Sequence, residues 1–208
     1  MLDTEPLYKA SWQQACAELE FDLHEEAHAR MIGRPNAACE DELIRLFGSG
    51  FPMDRFRARW PALWRAAVDG RSVPAKPGLA AFLAFVEERA LLRAVATSSE
   101  REFAEFSLNG AGIADRFDAI VTGDEIARGK PAPDIYLEAA RRLGVDPIHC
   151  VALEDSDAGV LAASAAGMQT ICIPDSKPPS EEAARAAACV LGSLDEARDW
   201  VATMLLPR

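Results

Sequence analysis

A parallel α/β fold joined to a separate bundle of helices is predicted for this chain by a change of pattern along its length. Roughly the first seventy residues repeat apolar side chains at helical spacing and carry few strand signals. Beyond residue 79, short apolar runs alternate with helical stretches, which is the pattern of a parallel sheet covered by helices. The two regimes meet at Ser72-Val73-Pro74-Ala75-Lys76-Pro77-Gly78, a connection stiffened by two prolines.

In the N-terminal region Leu7, Ala10, Trp12, Ala15, Cys16 and Leu19 form one apolar stripe. Leu43, Ile44 and Phe47 begin a second, and Phe56, Trp60, Leu63, Trp64 and Val68 make a third. Breaks at Gly33-Arg34-Pro35-Asn36, Gly48-Ser49-Gly50 and Gly70 cut these into short amphipathic helices, hence a small bundle. After the connection come a helix from Leu79 to Arg89 and apolar strands at Leu91-Ala96 and Ala119-Val121. A helix from Ile135 to Leu143 leads to a strand at Cys150-Leu153 and a helix from Ser156 to Ala166. A strand at Thr170-Ile173, an alanine-rich helix from Ala183 to Ala188 and a strand at Cys189-Leu191 complete the pattern.

Half of the 208 residues are apolar, enough to bury one substantial core or a core with a small accessory domain. A formal charge of -11 argues against nucleic acid as a partner, because phosphate backbones are bound by basic surface. Small phosphorylated metabolites stay open, since one local cationic pocket holds them on an acidic protein. Cys16, Cys39, Cys150, Cys172 and Cys189 contain no Cys-x-x-Cys pair and read as free thiols of a reducing compartment. With no run near the roughly 18 apolar residues of a membrane span and no signal pattern at the N-terminus, a cytoplasmic protein without membrane contact is expected. His24, His28 and His149 lack metal spacing and a nucleophile partner, so they read as surface or structural residues.

Three strand-end segments could carry chemistry. In Thr97-Ser98-Ser99-Glu100 hydroxyls arrive where a strand enters a helix, either as helix N-caps or as phosphate ligands alongside free backbone N–H groups. In Gly129-Lys130-Pro131-Ala132-Pro133-Asp134 two prolines hold the chain directly after Lys130. That residue is either an ordinary solvated lysine or one held ready for a phosphate or carboxylate. Glu154-Asp155-Ser156-Asp157-Ala158-Gly159 puts adjacent carboxylates between a strand and a helix, as dipole partners of the helix or as hard ligands for Mg²⁺. In an open parallel sheet, three successive strand ends of this kind converge on one crevice.

At these residues the chain resembles the haloacid dehalogenase-like hydrolases, in the helical-cap branch that includes β-phosphoglucomutase and sugar-phosphate phosphatases, and the resemblance covers nearly the whole chain. It implies a Rossmann-like core formed by residues 1–5 and 76–208 and a cap formed by residues 6–75, entered through Asp3-Thr4-Glu5-Pro6-Leu7-Tyr8. It also implies catalytic roles for Thr97 and Lys130, phosphate binding by Thr97, Ser98 and Lys130, and Mg²⁺ held by Glu154 and Asp155. The implied activity is Mg²⁺-dependent hydrolysis of a small phosphate monoester, with a sugar phosphate as partner. Substrate choice would lie in cap loops such as Gly33 to Asn36.

One departure is specific. Family members precede the Asp-Thr-Glu-Pro-like segment with a strand ending in Asp-x-Asp-Gly, which supplies the nucleophile, the general acid and base, and a carbonyl ligand to the metal. Met1-Leu2 stands at that place here. The absent strand is central, so Leu91-Ala96 and Cys150-Leu153 are expected to lie roughly 9 to 10 Å apart, twice the ordinary strand spacing. The expectation is a truncated chain with impaired activity. A mutase of the β-phosphoglucomutase kind is the rival enzyme, disfavoured because Tyr8 stands where such mutases carry a histidine. A non-catalytic protein that binds a phosphorylated metabolite is the rival of another class.

Overall fold

The computed structural model describes residues 1–31, 36–68, 73–175 and 177–205; Gly33 to Pro35, Gly70 and Ser72, read above as breaks and connection, lie outside them. In chain order the helices are α1 (Glu5–Glu18), α2 (Glu25–Ala29), α3 (Asn36–Phe47), α4 (Met53–Val68), α5 (Leu79–Glu88), α6 (Arg101–Gly110), α7 (Asp134–Leu143), α8 (Asp157–Ala165), α9 (Glu181–Ala186) and α10 (Leu194–Met204). The strands are β1 (Ala94–Ala96), β2 (Ala119–Val121), β3 (Val151–Glu154), β4 (Gln169–Cys172) and β5 (Cys189–Val190). These form two compact units, Met1–Ala75 with Glu102–Ala114, and Lys76–Arg101 with Asp115–Arg208.

The first unit is helical. Phe56, Trp60, Trp64 and Val68 follow one another at four-residue spacing along α4, so all four lie on one face, and all are buried. Trp12, Ala15 and Cys16 on α1 meet that face, with the Trp12 ring edge-on to Phe56 at 4.9 Å between centroids. Phe103 from α6 stacks on Trp60 at 4.8 Å. The sequence partition put residues 1–5 with the α/β core. In the structure they group with the helices, because Leu2 bridges Ala75 and the Asp3 N–H donates to the Pro74 carbonyl. Residues 102–114 group there too, through Phe103 and its neighbours.

The second unit is the α/β core. Every strand pair is parallel, as the apolar runs predicted. The strands nevertheless form two pieces, β1-β2 and β3-β4-β5, rather than one sheet. The interruption separates β1 from β3, which is where the resemblance places the absent strand. Alternation along β3 directs Ala152 to a cluster with Ile135, Tyr136 and Ala139 of α7 and Ala162 and Ala163 of α8. Val151 and Leu153 face the opposite cluster, with Phe85 and Val86 of α5 and Ala197 and Val201 of α10. Helices therefore cover both faces. All five cysteines are free. Cys172 and Cys189 sit on neighbouring strands but in different clusters, so their thiols point to opposite faces.

Candidate functional site

The site forms at the carboxyl ends of β1 and β3, where loops lead into helices. β1 ends at Ala96, and the Thr97 N–H still pairs with the Val121 carbonyl at 3.0 Å, extending the ladder by one bond. The Thr97 hydroxyl then accepts from the Ser99 N–H at 3.2 Å, a local turn that fixes its side chain. The Ser98 carbonyl packs so closely on Gly123 that any β-carbon there would overlap it, and the Gly123 N–H donates to the Ser99 carbonyl at 2.9 Å. Thr97 and Ser98 are thus held on a rigid turn.

Lys130 reaches across the interruption in the strands. Its Nζ donates to the Ala96 carbonyl at 3.2 Å, the residue just before Thr97, and to Glu154 Oε1 at 2.5 Å. The lysine and glutamate side chains are 11% and 7% exposed. A pair this sheltered is strongly coupled, and breaking it would strand a charge. Of the two readings open for Lys130, the ordinary solvated lysine is ruled out by this burial.

Burial alone would raise the Glu154 pKa, but the Lys130 ammonium and hydrogen bonds from Lys130, the Tyr136 hydroxyl and the Asp155 N–H outweigh it. The carboxyl is held below its ordinary value. Tyr136 is pushed well above the usual phenol range by burial, then by the adjacent Glu154. Asp155 is exposed in the described structure, yet protein atoms around its carboxyl, and then the Glu154 charge, raise its pKa.

This geometry separates the two carboxylates expected to share a metal. Glu154 Oε1 is taken by Lys130 and Tyr136, and Oε2 accepts from the Asp155 N–H and the Ser156 hydroxyl, both at 3.3 Å. Glu154 is therefore an anchor for lysine through Oε1, with only two long contacts on Oε2. Asp155 alone offers an open carboxylate. Among the described residues no three carboxylate, imidazole or thiolate groups cluster to hold a metal ion.

The site includes two residues that sequence reasoning passed over. Tyr136 lies within the helix read from Ile135 to Leu143, and its signal is a hydroxyl on an otherwise apolar buried face. Gly159 was read only as part of an acidic helix start. Ser11, Thr122 and Thr170 are buried outside this cluster and find their partners locally.

The profile of the haloacid dehalogenase-like hydrolase family matches residues 1–167. The chain belongs to this family. Fructose-1-phosphate phosphatase YqaB of Escherichia coli K12 is 33% identical to this hydrolase over 174 residues, 82% of this chain and 89% of that protein. A phosphorylated carbohydrates phosphatase of Thermotoga maritima is 31% identical over 171 residues, 82% and 79% of the two chains. Hexitol phosphatase B of Escherichia coli K12 is 37% identical over 123 residues, a match spanning 55% of that protein. β-Phosphoglucomutase from Clostridium difficile superposes with a TM-score of 0.82 at 21% identity, covering 98% of this chain and 91% of that one, which shows a shared fold. CbbY from Rhodobacter sphaeroides, solved with phosphate, gives 0.79 at 25% identity and 94% and 91% coverage. The hydrolase thus falls in the helical-cap branch. No helix among its described residues is long and apolar enough to cross a membrane.

Proposed function

We propose that this hydrolase acts on phosphate monoesters of small carbohydrates, with Thr97, Ser98 and Lys130 as the groups that grip the phosphoryl oxygens. The observation that carries the reading is the buried Lys130 ammonium, fixed between the Ala96 carbonyl and Glu154, immediately beside the Thr97 turn. A lysine held in one place adds positive charge where phosphoryl negative charge spreads during transfer and loses little further side-chain entropy doing so. The Thr97 hydroxyl proton is free to point at a phosphoryl oxygen while its oxygen accepts from Ser99. The names of the relatives support a phosphorylated carbohydrate as substrate.

In this reading residues 6–75 form the cap that contributes to substrate choice. Tyr8 packs against Trp60, Trp64 and Phe103 with centroids 5.4 to 6.3 Å apart, so it fills space and offers no imidazole for a mutase's proton transfer. Hydrolysis is therefore favoured over mutase chemistry. If Mg²⁺ takes part, Asp155 is the residue of this chain that would meet it, and the metal would offset phosphoryl charge. With one open carboxylate, Mg²⁺ alone should bind weakly.

The family resemblance gives the covalent step to the first aspartate of an Asp-x-Asp-Gly segment, and the 208 residues contain no such segment. The test is phosphate release from a panel of sugar phosphates, measured on the 208-residue chain and on the same chain carrying such a segment ahead of Leu2. Turnover is expected only in the extended protein and only with Lys130 intact, since losing a covalent nucleophile costs about 10⁴-fold or more in kcat. Robust Mg²⁺-dependent turnover by the 208-residue chain, abolished by Asp155→Ala, would overturn this assignment.

A further inference from the structure

We propose that Gly159 and Tyr136 are positioning residues that seat the Glu154 carboxylate and, through it, aim the Lys130 ammonium. The inference rests on the reading of Lys130 as a phosphate-gripping group. It starts from a conformational question, because a glutamate at the end of a strand has several rotamers and only one of them meets Lys130.

Glu154 lies on the same face of β3 as Ala152, the face covered by α7 and α8. On the α8 side its carboxylate rests against Gly159. A β-carbon built there would overlap both carboxylate oxygens and the carbon between them. The Gly159 N–H is held by the Ser156 hydroxyl cap at 3.1 Å, so the helix start cannot easily give way. On the α7 side Tyr136, 6% exposed, donates its hydroxyl to the oxygen that also receives Lys130, and the ammonium lies 5.1 Å from the centre of its ring. The carboxylate is thus confined by a missing side chain on one helix and a donor on the other.

A simpler account would treat Gly159 as incidental. Alanine is ordinarily favoured over glycine within a helix, and the rest of α8 is rich in alanine, so a glycine at this position needs a reason. The two accounts differ in sign. If Gly159 is incidental, Gly159→Ala stabilises the protein whatever residue 154 is. If it seats Glu154, Gly159→Ala lowers the melting temperature in the native background, because the carboxylate is driven off Lys130 and Tyr136, and raises it in a Glu154→Ala background. Should the single variant fail to fold, the comparison is made in a Glu154→Ala/Lys130→Met background, which removes the ion pair whole and strands no charge, and there Gly159→Ala is expected to fold. The same sign of effect in both backgrounds, or no rescue of a misfolded single variant in the background without the ion pair, overturns the seat.

Tyr136→Phe keeps the ring and removes only the hydroxyl. The readout is hydrogen exchange of the Lys130 ammonium by ¹⁵N NMR, its signal identified by absence in Lys130→Arg. Exchange is expected to quicken about tenfold, the scale of losing one hydrogen bond in a charged pair. In a Glu154→Gln background the same substitution should change nothing more, since Tyr136 acts through Glu154. Unchanged exchange in Tyr136→Phe, or an equal increment in both backgrounds, overturns the hydroxyl's role. Inorganic phosphate added to the native chain is a separate arm. If the Lys130 signal ignores phosphate, the phosphate-gripping reading fails, whereas the seating results stand or fall on the variants alone.

Discussion

Glu125 shows how the turn beneath Thr97 is braced. Its carboxylate accepts from the Thr122 N–H and hydroxyl at 3.0 Å each, from Arg101 at 2.5 Å and from Arg142 at 3.1 Å. The two arginines also donate to the Ile120 carbonyl at 2.9 and 2.7 Å, closing the brace around the segment that leads to Gly123. Burial works against the charge, but the Arg142 and Arg101 donors win, and the pKa falls from 4.5 to about 2. A carboxyl with a depressed folded pKa contributes stability above its unfolded pKa and loses it as pH falls toward the folded one. The melting temperature should therefore drop as pH is lowered from about 5 to about 2.5, and Glu125→Gln should remove part of that slope while lowering stability near neutral pH. An unchanged slope in the variant, followed by thermal melts across pH, would show that the brace does not carry this dependence. Thr97, Lys130 and Glu154 were legible in the sequence because each sits inside a short motif at a strand end. The arginine part of the Glu125 brace was not, because Arg101 and Arg142 lie 24 and 17 residues away and only the fold brings them together. The separate fates of Glu154 and Asp155 were equally hidden, since adjacent residues on a strand end face different surroundings.

At the scale of elements, periodicity found what had a long enough apolar face. The four-residue repeat of Phe56, Trp60, Trp64 and Val68 defined α4 despite Pro61 within it, and Ala119-Val121 was placed to the residue. The strand read as Leu91-Ala96 is shorter, because Leu91 and Leu92 lie ahead of the paired segment, with Leu92 exposed. The five-residue α2 was missed, being too short to show a period. Trp64 is fully buried in the aromatic cluster, yet its indole N–H has no hydrogen-bond partner among the described residues. Its contribution should then come from packing alone. Trp64→Ala should cost about 3 to 5 kcal/mol, whereas Trp64→Phe should cost markedly less, there being no hydrogen bond to forfeit. Urea unfolding of both variants checks this. Equal losses would mean that the indole nitrogen has a partner, such as a buried water.

The whole α/β unit depends on how two pieces of sheet are held together without backbone hydrogen bonds between them. Among the described residues β1 pairs only with β2 and β3 only with β4, leaving each with an unpaired edge. Among these residues the pieces are joined by packing and by the Lys130–Glu154 ion pair. Val121 and Ala152, from different pieces, share a cluster with α7 and α8, and Lys130 links the Ala96 carbonyl to Glu154 across the ends. A backbone hydrogen bond contributes about 0.5 to 1.5 kcal/mol net, so pairing these edges would add stability. An apolar strand ending in Asp-x-Asp-Gly, attached ahead of Leu2, should take up those edges and raise the melting temperature by at least about 5 °C, the shift expected for roughly 2 kcal/mol in a chain of this size. Changing the first added aspartate to asparagine should leave that gain intact, because strand pairing uses backbone groups, while abolishing phosphate release. Calorimetry of the three proteins separates the effects. An extended chain that melts no higher than the 208-residue one would mean that the edges of β1 and β3 are satisfied in another way.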